Sequence, residues 1–189
     1  IFEVAVGSGI FLVQSLRKMI EKEIELNGNL DKEAFSERIR NIAKRNLYGV
    51  DINREALKVT CFSIYIALLD YQEPKDVDIY RFPNLFEANF FDVEHEFNQI
   101  INEVKPQFIL GNPPWKNGGK DKVHTTYLRS NNLSNIVSDF QLAQSFILRT
   151  KDFSDYQPIC SLIISSKAIY NNNAVKFKEK FLTDFKLIK

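Results

Sequence analysis

Apolar positions along the chain follow two alternating patterns. Short apolar runs predict strands over about residues 1–6, 47–50, 85–90, 108–111 and 160–164. Between them, apolar residues recur at helical spacing, predicting helices over about 10–26, 31–44, 54–69, 94–104, 137–151 and 173–182. Leu57, Cys61, Ile64 and Leu68 fall on one face of the third helix. The second helix carries Glu33, Glu37, Arg38, Arg40 and Lys44 as a solvated face. Asn27-Gly28-Asn29 reads as a turn, residues 71–83 with Pro74 and Pro83 as a loop, and Trp115 to about Ser134 as a polar loop. Strands alternating with helices predict an α/β fold, a doubly wound and mostly parallel sheet covered on both faces. Ligands bind such sheets at the carboxyl ends of their strands.

Composition adds little to this picture. With 189 residues, 44% hydrophobic and 26% charged, the chain has enough apolar material for one domain with a sizeable core. No apolar run approaches the roughly 20 residues of a membrane span, and no signal peptide is visible. Cys61 and Cys160 have neither metal spacing nor a disulfide framework and read as buried thiols of a cytoplasmic protein. With His95 and His124 scattered, no metal site is expected. A net charge of +1 neither supports nor excludes a nucleic-acid partner. The chain opens on IFEVAVGSG, already inside a strand, and closes on FKLIK, which reads as the start of another. A core truncated at both ends is expected.

Three strand ends carry candidate chemistry. Gly7 and Gly9 follow the first strand and open a helix, where glycine permits a sharp turn and a close ligand approach. The G-S-G lacks the full dinucleotide fingerprint, and a tight turn without a ligand is the competing reading. Asp51 ends the second strand, where a carboxylate can accept both ribose hydroxyls. Asp51 or Asn53 could equally cap the helix that follows. Forty-four residues separate Gly7 from Asp51, against about 20 in a minimal dinucleotide-binding unit. The charged helix, an insertion over 27–46 on the outside of the sheet, accounts for the excess.

The third strand end is FILGNPPW, Phe108 to Trp115. Pro113 and Pro114 stop the strand and forbid an immediate helix. Asn112 supplies a carbonyl acceptor, and the Pro113 carbonyl a second. Together they can accept both hydrogens of an amino group, while Trp115 offers a flat face for a planar ring. A rigid turn capped by a packed Trp is the plain alternative.

This combination resembles the S-adenosylmethionine-dependent adenine-N6 DNA methyltransferases of restriction-modification and phage-defence systems, in particular the type I and type IIG-like branch. The resemblance spans nearly the whole chain. It includes FQLAQSFIL and the Ser-rich ICSLIISSKAIYNNNAVKFKEKF that follows. It implies a Rossmann-like methyltransferase fold, one catalytic domain over 1–189. At the first loop the family pattern Asp-Pro-x-Cys-Gly-Ser-Gly is met by Glu3-Val4-Ala5-Val6-Gly7-Ser8-Gly9. Glu3 keeps the acid for the methionine amino group. The resemblance also implies Asp51 as the ribose acid, with Ile52 beside the cofactor adenine. Asn89 stands where an Asp often accepts the adenine amine, with Phe90 packing on the ring. Asn112, Pro113, Pro114 and Trp115 match the catalytic motif.

The implied reaction is direct methyl transfer to an adenine flipped from double-stranded DNA. Neither a metal nor a covalent enzyme intermediate is required. Specificity or restriction subunits or domains are the implied partners. The family's segment before the first strand, its second base-stacking aromatic and its target-recognition domain are expected outside this chain, which is then not expected to methylate DNA alone. Lys116, Lys120, Lys122, His124 and Arg129 could track phosphates from a mobile loop or form a solvated surface. Two other functions stay open. Asn-Pro-Pro-aromatic also serves methyltransferases acting on protein glutamine or RNA guanine, and the fold can persist as a non-catalytic module.

Overall fold

The computed structural model describes residues 1–27, 31–76 and 84–188. Gly28 and Asn29 of the expected turn, and residues 77–83 of the expected loop, lie outside the described residues. The chain divides into two compact units, 1–88 and 89–189. All strand pairings within each unit, among the described residues, are parallel. The alternation of parallel strands and helices is the expected α/β, Rossmann-like architecture. No described helix is long and apolar enough to cross a membrane.

In the first unit, strand β1 (Phe2–Glu3) pairs with β2 (Tyr48–Asp51), and β2 with β3 (Leu85–Glu87). Helix α1 (Ile10–Asn27) buries Leu12, Val13, Leu16 and Ile20, a helical stripe facing inward. Helix α2 (Lys32–Asn46) is capped by Asp31, whose side chain accepts the N–H groups of Glu33 and Ala34. Its Ile39 and Ala43 join the core formed by Leu16, Ile20 and Ile64. Each Leu or Ile among them removed from water stabilises by roughly 2 kcal/mol. Helix α2, expected as an insertion on the outside of the sheet, contributes to this unit's core. Helix α3 (Arg54–Leu69) is capped by Asn53, not Asp51. It buries Leu57, Thr60, Ile64, Ala67 and Leu68, leaving Cys61 half-buried.

Strands β1 and β3 are shorter than the apolar runs suggest. After Glu3 the backbone bends into the glycine turn, with only Val6 N–H still reaching Val50 O, at 3.3 Å. After Glu87, Ala88 N–H bonds Asp51 O at 3.0 Å and regular pairing stops.

In the second unit, Asp92 N–H bonds Asn89 O at 2.9 Å, closing a turn before helix α4 (Phe97–Val104). Strand β4 (Phe108–Gly111) pairs in register with β5 (Ile159–Leu162), Gly111 opposite Leu162. The expected loop from Trp115 to Ser134 is instead interrupted by helix α5 (Lys122–Ser130). Asp121 caps it, and His124, Tyr127 and Leu128 are its buried face. The expected helix over 137–151 is regular only in α6 (Leu142–Arg149). Asp139 and Phe140 adopt φ of 49° and 52°, which breaks the helix before Leu142. Helices α7 (Lys167–Tyr170) and α8 (Val175–Asp184) complete the unit. The strand expected at FKLIK is absent over residues 185–188, where Phe185 N–H instead ends α8 on Phe181 O. Cys160, expected buried, is exposed because β5 is a largely exposed strand.

Candidate functional site

In the first unit the candidate residues gather at the turn between β1 and α1. Gly7 and Gly9 adopt φ of 54° and 76°, a region L side chains rarely enter. The Asp51 carboxylate, at the end of β2, accepts Gly7 N–H at 2.9 Å and Asn53 N–H at 2.8 Å. Thr60 of α3 donates its hydroxyl to Gly7 O at 3.0 Å. A Cβ on Gly9 would lie 2.5 Å from Thr60 Cγ2, so glycine is needed there for packing as well as conformation. A Cβ on Gly7 would meet nothing within 4 Å, so that side of the turn is open. Ser8 is exposed, Ala5 is half-buried, and Ile52 beside Asp51 is 69% exposed.

Glu3 lies beneath this turn and is 1% exposed. Its Oε2 is buried without a hydrogen-bond partner. Burial pushes its carboxyl up from the usual 4.5 to about 8. A backbone hydrogen bond from Leu12 opposes that shift, and the nearby Asp51 charge adds to it. A buried carboxyl with one unpartnered oxygen fits a cationic ligand group such as an ammonium, which would hold it in its ionised form.

Asn89 and Phe90 belong to the second unit. Asn89 Oδ1 accepts Phe91 N–H at 3.0 Å, and its Nδ2 donates to Asp121 Oδ2 at 2.8 Å. Phe90, expected against a cofactor ring, is 4% exposed and stacks on Phe146 with centroids 4.9 Å apart. The buried Arg149 guanidinium lies 5.5 Å from the Phe90 ring centre and donates to Phe90 O at 3.2 Å. The Phe90 ring is thus held among protein partners, while Asn89 and Asp92 of this turn are half-buried.

Asn112, Pro113, Pro114 and Trp115 follow β4. Ile163 N–H bonds Gly111 O at 2.9 Å and fixes the backbone just before Asn112. Asn112 is exposed. Pro113 is buried and Pro114 half-buried, which stiffens the turn. Trp115 is 61% exposed, with its indole N–H 3.4 Å from Ile163 O. The ring is tethered at one edge with open surface, not packed away as in a plain structural turn.

The segment after Trp115 is stitched down. Leu142 N–H bonds Lys116 O at 3.1 Å, and Gly118 N–H bonds Phe140 O at 2.8 Å. His124, expected among phosphate-tracking cations, is fully buried, with Nδ1 3.1 Å from Gly118 O and Nε2 2.8 Å from Ser145 Oγ. Desolvation holds its pKa below the usual histidine value. Lys116, Lys120, Lys122 and Arg129 remain exposed.

Thr60, Asp121, His124 and Arg149 were not foreseen as supports of these turns. Asp121 had a readable signal, a helix cap three residues before His124 in the spacing His124, Tyr127, Leu128. The others act through partners distant in sequence.

No curated protein matches the chain. A glycine turn tied to a strand-end acid, and an Asn-Pro-Pro-Trp turn with an exposed amide, are the parts expected of a methyltransferase. Residues 45–189, which do not include the glycine turn, match the Eco57I restriction-modification methylase family. The match takes in β2, the Asn89 turn and the Asn-Pro-Pro-Trp turn. The chain belongs to the Eco57I restriction-modification methylase family.

Proposed function

We propose that this restriction-modification methyltransferase transfers a methyl group from S-adenosylmethionine to the exocyclic N6 amine of adenine in double-stranded DNA. The observation that carries the reading is the stiff turn after β4, with an exposed Asn112 followed two prolines later by a tethered, open Trp115. The Asn112 Oδ1 and the Pro113 carbonyl accept the two hydrogens of the target amine. This turns the nitrogen lone pair away from the adenine ring. Trp115 stacks on the flipped base.

The unpartnered Oε2 of Glu3 supports a cofactor with an ammonium group, and the open side of Gly7 supports a close backbone approach. Glu3 would hold the methionine ammonium, Asp51 the ribose hydroxyls, and Asn89 the adenine amine. Ala5, Gly7, Ser8 and Gly9 would form the backbone wall, and Ile52 would lie beside the adenine. When bound, S-adenosylmethionine supplies an electrophilic methyl on its sulfonium. The chain's residues orient the two reactants, and orientation is the main source of rate. The exposed Lys116, Lys120, Lys122 and Arg129 would pair with DNA phosphates.

The test is Asn112→Ala in the full-length protein, with host DNA digested and its bases separated. The expected result is gene-dependent N6-methyladenine with the natural residue and none with the variant. Full methylation by the variant would reject the role of Asn112. A methyl group found instead on RNA guanine or protein glutamine would reject the substrate.

A further inference from the structure

The side chain of Asn89 is fixed from both ends. Phe91 N–H donates to it at 3.0 Å, so that end must be the oxygen. Asp121 accepts from it at 2.8 Å, so the other end must be the nitrogen. One N–H and one oxygen lone pair are left over. Asp121 is itself held firmly. Its second carboxylate oxygen caps α5, accepting Val123 N–H at 2.9 Å and His124 N–H at 3.2 Å. The His124 ring, bonded at both nitrogens, anchors that helix start. A carboxylate at position 89 would face Asp121 at hydrogen-bond distance, and two such acids cannot both stay ionised. The amide at 89 and the acid at 121 are a matched pair.

We infer that Asp121 is a positioning residue that sets the cofactor's base specificity by locking the orientation of the Asn89 amide. This rests on the proposed role of Asn89 at the cofactor adenine. The locked amide accepts from an amino group and donates to a ring nitrogen, the pattern adenine presents. Hypoxanthine presents the reverse, a carbonyl and a ring N–H. A freely rotating Asn would turn over and serve either base. Asp121, acting with Phe91 N–H at the other end, forbids that turn.

The experiment is calorimetric titration of the full-length protein with S-adenosylhomocysteine and with S-inosylhomocysteine, its deaminated counterpart. The natural protein should prefer the adenine ligand by at least roughly tenfold. Asp121→Asn keeps a capping oxygen but turns an NH2 towards Asn89, so the preference should collapse to about threefold or less. Asp121→Ser also keeps the cap while removing the acceptor charge, and should narrow the preference too. A purely structural role for Asp121 would lower the melting temperature without changing the ratio. An unchanged ratio in folded Asp121→Asn and Asp121→Ser overturns the inference while leaving the cofactor reading intact. A natural protein that binds neither ligand overturns the cofactor reading, and the inference with it.

Discussion

Asp51 Oδ2 accepts the backbone N–H of Gly7 at 2.9 Å, joining the end of β2 to a turn 44 residues earlier. Its Oδ1 accepts Asn53 N–H at 2.8 Å, just ahead of α3. Both oxygens therefore face donors. Asp51→Asn keeps the size but sets an NH2 against one of them, which costs about 1–3 kcal/mol. On the proposed reading it also weakens ribose binding, so S-adenosylhomocysteine affinity should fall more than roughly tenfold. Urea unfolding and calorimetric titration measure the two effects separately. Unchanged affinity in a folded Asp51→Asn variant would remove Asp51 from the cofactor site.

The two glycines of the same turn should respond differently to alanine. At Gly9 a methyl would strike Thr60 at 2.5 Å, so Gly9→Ala has both steric and conformational costs. At Gly7 there is space, and only the backbone cost of about 1–2 kcal/mol applies. Gly7→Ala should thus fold and lose ligand affinity, while Gly9→Ala should lose stability first. Thermal melts with and without S-adenosylhomocysteine distinguish them. Equal loss of stability in both would show that the open space beside Gly7 is not decisive.

Glu3 predicts a pH dependence with a definite sign. Its carboxyl titrates at about 8 in the folded protein, against 4.5 for an ordinary glutamate. Between these values the folded state holds a proton that the unfolded state has lost. The stabilisation is full below about pH 4.5 and declines as pH rises through about 8. The total change is bounded at roughly 5 kcal/mol. Glu3→Gln should lack this decline, becoming more stable than the natural protein at alkaline pH. Urea unfolding at acidic and alkaline pH checks it, and parallel pH profiles would reject it. An ammonium paired with Glu3 needs the ionised acid, so binding near neutrality should expel a proton, and affinity should rise with pH up to about 8.

Much of this architecture is legible in the sequence because its signals are local. α1 starts directly after Gly9, α3 after its cap Asn53, and β4 stops at two prolines. α5 was hidden because its inward face includes a histidine, which reads as polar until Gly118 O and Ser145 Oγ satisfy it. Strand 3 was read too long because Phe90 and Phe91 are as apolar as a strand requires. Their backbone is instead drawn into a turn by the Asn89 side chain. The supporting pairs were not readable at all. Asn89 meets Asp121 across 32 residues and Phe90 meets Arg149 across 59, separations at which a single sequence carries no pairing signal.

The Phe90–Arg149 contact gives a further test of how the Asn89 turn is held. The Arg149 guanidinium is buried, donates to Phe90 O at 3.2 Å and to Asn98 Oδ1, and pairs with Asp152. It also lies 5.1 Å from the Tyr127 ring centre and 5.2 Å from that of Phe153. Asn98 in turn donates to Asp92 O at 2.8 Å, so one guanidinium supports both sides of the turn from Phe90 to Asp92. Arg149→Met fills much of the volume but strands the Phe90 carbonyl, and should cost about 2–4 kcal/mol. Asp152 is partly exposed and can rehydrate, which keeps the figure from rising further. Arg149→Lys retains the charge, yet a single ammonium cannot span these acceptors, so it should recover less than half of the loss. Urea unfolding gives the energies, and near-ultraviolet circular dichroism of the aromatic cluster reports the packing. Cofactor affinity should fall in both variants as the Asn89 turn loosens. A Lys variant as stable as the natural protein would show that charge alone, and not the guanidinium's planar fork, holds this turn in place.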